Sequence, residues 1–409
     1  MNKKTSKWII LLMLVLGTAI LNYSNMIFAS HGADVMSLYG CTATQLAAIT
    51  SVTYLPGAFL SIFIGRMMDK RGAKGIMVVC MIAATVLFFL RTILTSYWPL
   101  FLCTLLAGIF LVCTAVAPAK LIAGWFSPKE IPIAMGIYGS APGVGIALAF
   151  LTSVFTSNIK VQLWIVTVAS LVLAVMWIAF GQEIAAGKEA PVNENGPKPS
   201  MKRLLKNKNL LIVTWCSFVG CGNCLVVNTY LVTALVEKGM AIGNAAMLAT
   251  ILNFFIIAGG ILSGWVVSKM KNINIPYTVS CILGGVCPLL VWLLPVGVFT
   301  YIFAFLAGFG FAGAVAINMG RVPLLPLTKE ISMEEIGTAN GICNVGISLG
   351  GFLMPIIVAA IAEAISKTDG ISFNAVFIIC CVVFIATMLL AFMIPELGEN
   401  GKLAKAARK

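Results

Sequence analysis

Twelve long apolar runs, separated by short polar or basic stretches, make up the pattern of this chain. The first half holds Trp8–Ala29, Thr42–Ile64, Gly75–Leu94, Pro99–Leu121, Ile131–Phe155 and Gln162–Gly181. The second half holds Asn209–Val236, Ala245–Val267, Ile275–Leu294, Phe299–Val322, Ile336–Ala362 and Phe373–Ile394. Each run has about the 20 residues that a helix needs to cross a bilayer. The pattern therefore predicts an all-α membrane protein of twelve transmembrane helices. Only Gln182–Lys208, rich in Pro, Asn, Glu and Lys, breaks the composition deeply enough to be a linker. It divides an N-terminal six-helix bundle (residues 1–181) from a C-terminal one (residues 209–396). A short tail follows, residues 397–409.

Charge gives this arrangement an orientation. Lys3, Lys4 and Lys7 precede the first run. A signal peptide has that shape, but its apolar core is shorter and eleven further spans follow, so the first helix is expected to stay uncleaved. With 60% hydrophobic and 10% charged residues, the chain reads as a polytopic membrane protein. A net charge of +13 raises the question of a nucleic-acid partner. Its distribution argues against one, because only Arg91, Lys160, Lys238 and Lys367 of the 27 basic residues fall at or near outer helix ends. The rest collect on one side, as the positive-inside rule requires. Both termini, the linker 182–208 and the tail with Lys402, Lys405, Arg408 and Lys409 are thus expected in the cytoplasm, with the helices in the cytoplasmic membrane.

Cysteine and histidine point to no reaction centre. The twelve Cys are scattered through apolar runs, unlike a disulfide framework. Cys221 and Cys224 have redox-motif spacing but lie within a span, with no His nearby. The single histidine, His31, reads as a polar residue of an outer loop. No nucleophile–base set or metal-ligand set appears, so neither an enzyme nor a cofactor or metal is expected.

The hairpin between the second and third runs, Gly65-Arg66-Met67-Met68-Asp69-Lys70-Arg71-Gly72-Ala73-Lys74, must lie at the membrane surface. It has a degenerate echo 199 residues on, at Gly264-Trp265-Val266-Val267-Ser268-Lys269. A second repeat pairs Glu130-Ile131, Ala134, Gly136 and Ile137 with Glu335-Ile336, Ala339, Gly341 and Ile342, at an offset of 205. Repetition at half the chain length marks a duplicated bundle. Together these features resemble the major facilitator superfamily, whose loop between helices two and three carries the same Gly, Asp, Gly and basic positions. The resemblance covers essentially the whole chain. It implies two pseudo-symmetric six-helix bundles, transport by alternating access, and a gating role for Gly65, Asp69, Arg71 and Gly72.

Polar residues inside spans are costly and default to functional hypotheses. Lys120 and Arg321 form a pseudo-symmetric pair, twelve past Gly108 and thirteen past Gly308. They could draw an anion into an inward-facing vestibule, or could simply snorkel to the headgroups. Arg91, in the third run, invites the same snorkelling reading. Asn22, Tyr54 and Tyr138 in the first half, and Asn223, Asn253 and Asn344 in the second, are the substrate-binding candidates. Hydrogen bonds between helices are the competing reading for the asparagines. Gly139, Gly143 and Gly145, like Gly346, Gly350 and Gly351, read as close packing. No Asp or Glu lies mid-span, so little pH dependence is expected beyond that of the substrate.

Local runs are also similar to the cyanate and nitrate permease branch: Leu90-Arg91, Ala117-Pro118 with Trp125-Phe126, and Met135-Gly136-Ile137-Tyr138. The Trp-Phe with Pro128-Lys129-Glu130 also resembles monocarboxylate and oxalate/formate carriers. These resemblances imply a small organic or inorganic anion, carried by a monomer in the lipid bilayer. The first helix reads Leu21-Asn22-Tyr23-Ser24-Asn25 where the cyanate branch often has an Arg. A transporter-like solute sensor, or a carrier of a neutral or drug-like substrate, stands as the alternative.

Overall fold

The computed structural model describes residues 3–126, 134, 137–156, 158–182, 201–270, 272–328, 330–331, 336–366, 371–397 and 401, a few of them in helices by their backbone alone. Among these residues every regular element is a helix. Eleven helices are long and apolar enough to cross a membrane. The chain forms two compact units, Met1–Val192 with Ile242–Thr250, and Asn193–Ala241 with Ile251–Lys409.

The first unit comprises α1 (Lys3–Ser30), α2 (Gly32–Tyr39), α3 (Ala43–Ser51), α4 (Tyr54–Arg71), α5 (Ala73–Ile93), α6 (Tyr97–Trp125), α7 (Ala141–Phe155) and α8 (Ile159–Phe180). The run Thr42–Ile64, expected as one span, is divided into α3 and α4 by a turn at Val52-Thr53. Pro56 is the physical cause. It has no N–H to return to Val52, and its ring crowds that carbonyl. The Leu55 N–H takes the Val52 carbonyl instead, at 3.1 Å. A capping box opens α3: Thr42 Oγ1 accepts from the Gln45 N–H while Gln45 Oε1 accepts from the Thr42 N–H. The fifth run is interrupted in the same way. α7 starts at Ala141 with Pro142 behind it, after a turn at Ser140. Residues 131–133 and 135–136 lie outside the described residues.

α1 is the axis of this unit and packs on α3, α6, α7 and α8. Its approach to α7 needs Gly145, where a Cβ would stand 2.2 Å from the Ala19 carbonyl oxygen. On α5 the side chains of Val79, Ile82, Val86, Phe89 and Ile93 are exposed at three- and four-residue spacing, while Met77, Met81, Ala84, Phe88 and Arg91 are buried. A soluble helix would reverse this polarity. Here the exposed stripe faces lipid, and the residues facing the bundle carry the polar contacts.

The second unit contains α9 (Lys208–Glu237), most of α10 (Ile242–Met270), α11 (Asn274–Leu293), α12 (Val298–Arg321), a 3-10 segment Val322–Thr328, α13 (Ile336–Ile365) and α14 (Phe373–Ala391). α9 is its axis, against α12, α13 and α14, and α11 packs between α12 and α14. Asn207 caps α9 by accepting from the Leu210 N–H. At Gly350 of α13 a Cβ would lie 2.0 Å from the Phe218 carbonyl oxygen on α9. Gly145 and Gly350 thus hold the close-packing positions expected from the sequence.

Candidate functional site

Polar side chains in the first unit converge where α1, α4 and α6 meet the turn before α7. Thr18 and Asn22 lie one turn apart on α1, hence on one face. Tyr54, first residue of α4, donates its hydroxyl to Asn22 Oδ1 at 3.0 Å. Asn22 Nδ2 donates to the Thr18 carbonyl at 2.9 Å. The Thr18 hydroxyl donates to the Tyr138 oxygen at 3.2 Å, and Tyr138 in turn donates to the Thr114 carbonyl on α6 at 3.2 Å. Asn22 and Thr18 are buried, and the two tyrosines are half-buried. Asn22 Nδ2 carries a second hydrogen beyond the one given to Thr18. The chain Tyr54–Asn22–Thr18–Tyr138 is uncharged and anchored on the Thr18 and Thr114 carbonyls. The structure therefore brings together three of the four first-half substrate candidates, Asn22, Tyr54 and Tyr138.

Thr18 and Thr114 were not singled out from sequence. Thr18 could have been, as the residue four before Asn22. Thr114 contributes only its carbonyl, which no side-chain pattern reports.

In the second unit the candidates are dispersed. Asn223 on α9 is fully buried and donates from Nδ2 to the Cys380 carbonyl on α14 at 2.8 Å. Asn253 on α10 donates to Asn228 Oδ1 on α9 at 2.6 Å, and Asn228 Nδ2 donates to the Cys224 carbonyl at 2.9 Å. These are bonds within and between helices, the competing reading for both asparagines. Asn344 on α13 is exposed.

Arg321, the last residue of α12, is enclosed, with 1% of its surface accessible. Its Nη2 donates to Asn274 Oδ1 at 2.9 Å, and its guanidinium lies 4.3 Å from the centre of the Tyr277 ring. Nη1 is buried and has no partner among the described residues. Arg321 therefore neither snorkels nor lines an open vestibule. Beneath it, Glu396 accepts from the Ile273 and Asn274 N–H groups at 2.8 and 3.0 Å, capping the start of α11. Glu396, two residues past the run Phe373–Ile394, was not singled out from sequence. Its carboxylate beside Pro395, just past an apolar run, was the available signal.

The side chains of Lys120, Asp69 and Arg71 lie outside the described residues, and Gly65 is described by its helical backbone alone. The backbone of α4 continues through Arg71, and Gly72 adopts φ +83° in the joint between α4 and α5. Only glycine takes that conformation without strain, and the Gly72 N–H closes α4 on the Met68 carbonyl at 3.0 Å.

Two residues read as peripheral are interior. Arg91 is fully buried and bonded to Ser24 on α1. His31 is 2% exposed and joined to both neighbouring helix ends. His31 does lie in the turn between α1 and α2, but its side chain is enclosed, and Arg91 does not reach the headgroups.

Comparison with known proteins fits this architecture. The chain is 21% identical to the probable galactarate/D-glucarate transporter GarP of Escherichia coli (strain K12), over 96% of this chain and 95% of that protein. Among solved structures it resembles the nucleoside transporter NupG, with a TM-score of 0.75 at 16% identity, covering 95% of this chain and 99% of the other. It also resembles a bacterial homolog of the human lysosomal transporter Spinster in an inward-facing, unoccupied conformation. There the TM-score is 0.73 at 15% identity, with 96% of each chain covered. The family model described as Major Facilitator Superfamily matches residues 11–325. This chain, a multi-pass membrane transporter, therefore belongs to the Major Facilitator Superfamily.

Proposed function

We propose that the protein carries a small organic anion across the cytoplasmic membrane by alternating access, with both termini in the cytoplasm and the monomer as the working unit. The observation that carries the anion is Arg321. Its Nη2 is anchored by Asn274 and its guanidinium face by the Tyr277 ring, while Nη1 is enclosed with no acceptor among the described residues. A buried donor without a partner is costly and calls for an explanation. A substrate carboxylate reaching Nη1 in another state of the carrier supplies one. Lys120 is the matching cation of the first half, and Asn344, exposed on α13, is the second-half contact this reading retains, since Asn223 and Asn253 are engaged between helices. The likeness to a probable sugar-diacid transporter supports the same class.

The Tyr54–Asn22–Thr18–Tyr138 chain of the first unit offers donors and acceptors without charge, a set suited to a polar, uncharged group. Gly65, Asp69, Arg71 and Gly72 form the gate on the cytoplasmic side. That the first-unit chain is neutral also favours a second reading, a carrier of an uncharged polyhydroxyl solute. A solute sensor would bind without transporting.

Proteoliposome uptake separates the three. The panel comprises galactarate, D-glucarate, oxalate, formate, nitrate, and nucleosides as the uncharged arm. Uptake of an anion that falls in Arg321→Gln supports the anion reading. Uptake of nucleosides alone establishes the neutral reading, and saturable binding without uptake establishes the sensor.

A further inference from the structure

Two buried side chains of α12, Asn318 and Arg321, each leave one polar atom without a partner, and the two atoms are of opposite kind. Residues three apart on a helix are neighbours on one face. Asn318 is fully enclosed and Arg321 nearly so. Asn318 Nδ2 donates to the Val213 carbonyl at 2.8 Å and to Ser217 Oγ at 2.9 Å, both on α9. A carbonyl only accepts, so the amide cannot be turned round and Oδ1 faces away from Val213. There Oδ1 is buried and receives no hydrogen bond among the described residues. Arg321 Nη1 is the reverse case, a buried donor with no acceptor.

Their neighbours do not relieve them. The one Ser217 hydrogen goes to the Val213 carbonyl at 3.0 Å or to Met319 Sδ at 3.6 Å, and the atom of Asn318 that Ser217 meets is the nitrogen. Arg321 Nη2 is spent on Asn274 Oδ1, and the guanidinium is held against the Tyr277 ring. α9 thus fixes the amide and α11 fixes the cation, so both orphaned atoms keep set positions. A buried donor or acceptor left unmade costs its full desolvation. One ligand that carries an anionic oxygen and a hydroxyl satisfies the two together.

We propose that the cargo is a hydroxycarboxylate, its carboxylate accepting from Arg321 Nη1 and its hydroxyl donating to Asn318 Oδ1. This rests on the anion reading above and narrows it, because Asn318 selects among the acids that Arg321 admits. Formate, nitrate and doubly charged oxalate bring no hydrogen for Oδ1. An acid lacking the hydroxyl would leave that oxygen buried and unpaired, the mismatch by which a polar site rejects a near-isostere.

Both residues lie in the last turn of α12, next to the 3-10 segment Val322–Thr328. Helix ends open at lower cost than helix centres. The cargo reaches the pair when this end of α12 parts from α9 and α11, with the rest of the helix in place. Hydrogen phosphate also joins an anionic oxygen to a hydroxyl, and it forms the inorganic arm of the test.

The test uses the full-length purified protein, with binding read as thermal stabilisation at constant ionic strength. The probes are matched acids with and without hydroxyls: glycolate and acetate, malate and succinate, galactarate and adipate. Fluoroacetate and fluorosuccinate put fluorine, which has no hydrogen to give, in place of the hydroxyl. In the pair that binds best, the hydroxy acid should bind about tenfold tighter than its partner, and the fluoro acid no better than that partner. The ratio should fall to about one in Asn318→Leu and persist in Ser217→Ala, which keeps the amide oxygen. Asn318→Thr, with a donor towards Val213 and no amide oxygen, replaces the Leu variant if that one does not fold. Acids that bind through Arg321, lost in Arg321→Gln, but with no preference for the hydroxyl would overturn this inference and leave the anion reading standing. So would a preference that survives loss of the Asn318 oxygen, or stabilisation by hydrogen phosphate and by none of the organic acids. Binding by no acid at all would overturn both readings.

Discussion

Arg91 holds Ser24 twice, through Nη1 to the side-chain hydroxyl at 2.6 Å and through Nη2 to the main-chain carbonyl at 3.2 Å. The guanidinium also lies 4.9 Å from the centre of the Phe28 ring and 5.2 Å from that of Phe88. The cation of α5 is thus built into α1, the axis of the first unit. A planar fork between two rings suits arginine and not lysine. Arg91→Lys should lose the second bond and the stacking. Arg91→Ala should also leave the Ser24 groups without their donor. Hydrogen bonds from a charged group are each worth about 1.5–3 kcal/mol. The Ala variant should therefore unfold at clearly lower temperature in detergent, with Lys intermediate. Equal melting temperatures for parent and Arg91→Ala would show that the clamp contributes nothing.

Glu396 makes the corresponding closure in the second unit, capping α11 while Asn274 at the same turn accepts from Arg321. A carboxylate at a helix N-terminus gains from both the free N–H groups and the dipole, together about 1–2 kcal/mol. Glu396→Gln keeps an acceptor and loses the charge, so it should cost less than Glu396→Ala. Thermal unfolding of the two variants should rank parent above Gln above Ala. A Gln variant as damaging as Ala would assign the effect to charge alone.

How much of this was legible in the residues follows from what each signal measures. Apolar run length reports lipid exposure directly, so eleven spans were readable, and the division of Thr42–Ile64 traces to one proline whose position in the run was visible. Gly145 and Gly350 were readable because a missing side chain permits backbone approach whichever helix arrives. Arg91 was misplaced for a reason that lies in the geometry of a helix. Depth along a span can be counted from sequence, but the azimuth around it cannot, and burial depends on azimuth. The same limit applies to Asn223 and Asn253, which point into helix contacts, whereas Asn22, Tyr54 and Tyr138 point at one another. Glu396 and Asn274 act through backbone N–H groups and an amide across elements distant in sequence, a pairing that no local motif announces.

Arg321 separates a recognition role from a structural one. Its Asn274 contact and Tyr277 stacking hold the side chain, while Nη1 is proposed to meet substrate. Asn274→Ala removes the anchor and keeps the charge, so it should lower the melting temperature with a small change in apparent KM. Arg321→Gln removes the charge and should raise the apparent KM for an anion about tenfold, with a further increase when Lys120→Gln is added. Added salt should weaken parent affinity more than that of the double variant. The measurement is anion counterflow in inside-out vesicles at low and high ionic strength. Unchanged KM and salt response in Arg321→Gln would leave Arg321 as a packing residue only.

Tyr54 and Asn22 allow the recognition reading of the first unit to be tested without altering charge. The Tyr54 hydroxyl donates to Asn22 Oδ1 at 3.0 Å, and Asn22 Nδ2 in turn fixes itself on the Thr18 carbonyl at 2.9 Å. Tyr54→Phe removes one oxygen and leaves the ring in place. If the hydroxyl serves only to orient Asn22, the loss is one neutral hydrogen bond, about 1 kcal/mol of stability, with transport unchanged. If the tyrosine oxygen also accepts from substrate, the apparent KM should rise about fivefold, the kinetic equivalent of one such bond. Asn22→Ala should then exceed Tyr54→Phe, because it withdraws a donor and an acceptor from the site and leaves the Tyr54 hydroxyl without its acceptor. Tyr138→Phe, at the other end of the chain, should raise KM by an amount that adds to the Tyr54→Phe effect only if each oxygen contacts a separate part of the substrate. Uptake kinetics on the three single variants and the Tyr54/Tyr138 double variant, alongside their melting temperatures, decide the matter. A melting temperature that falls while KM holds steady in every variant would make this chain a helix clamp and move the substrate contacts elsewhere in the carrier.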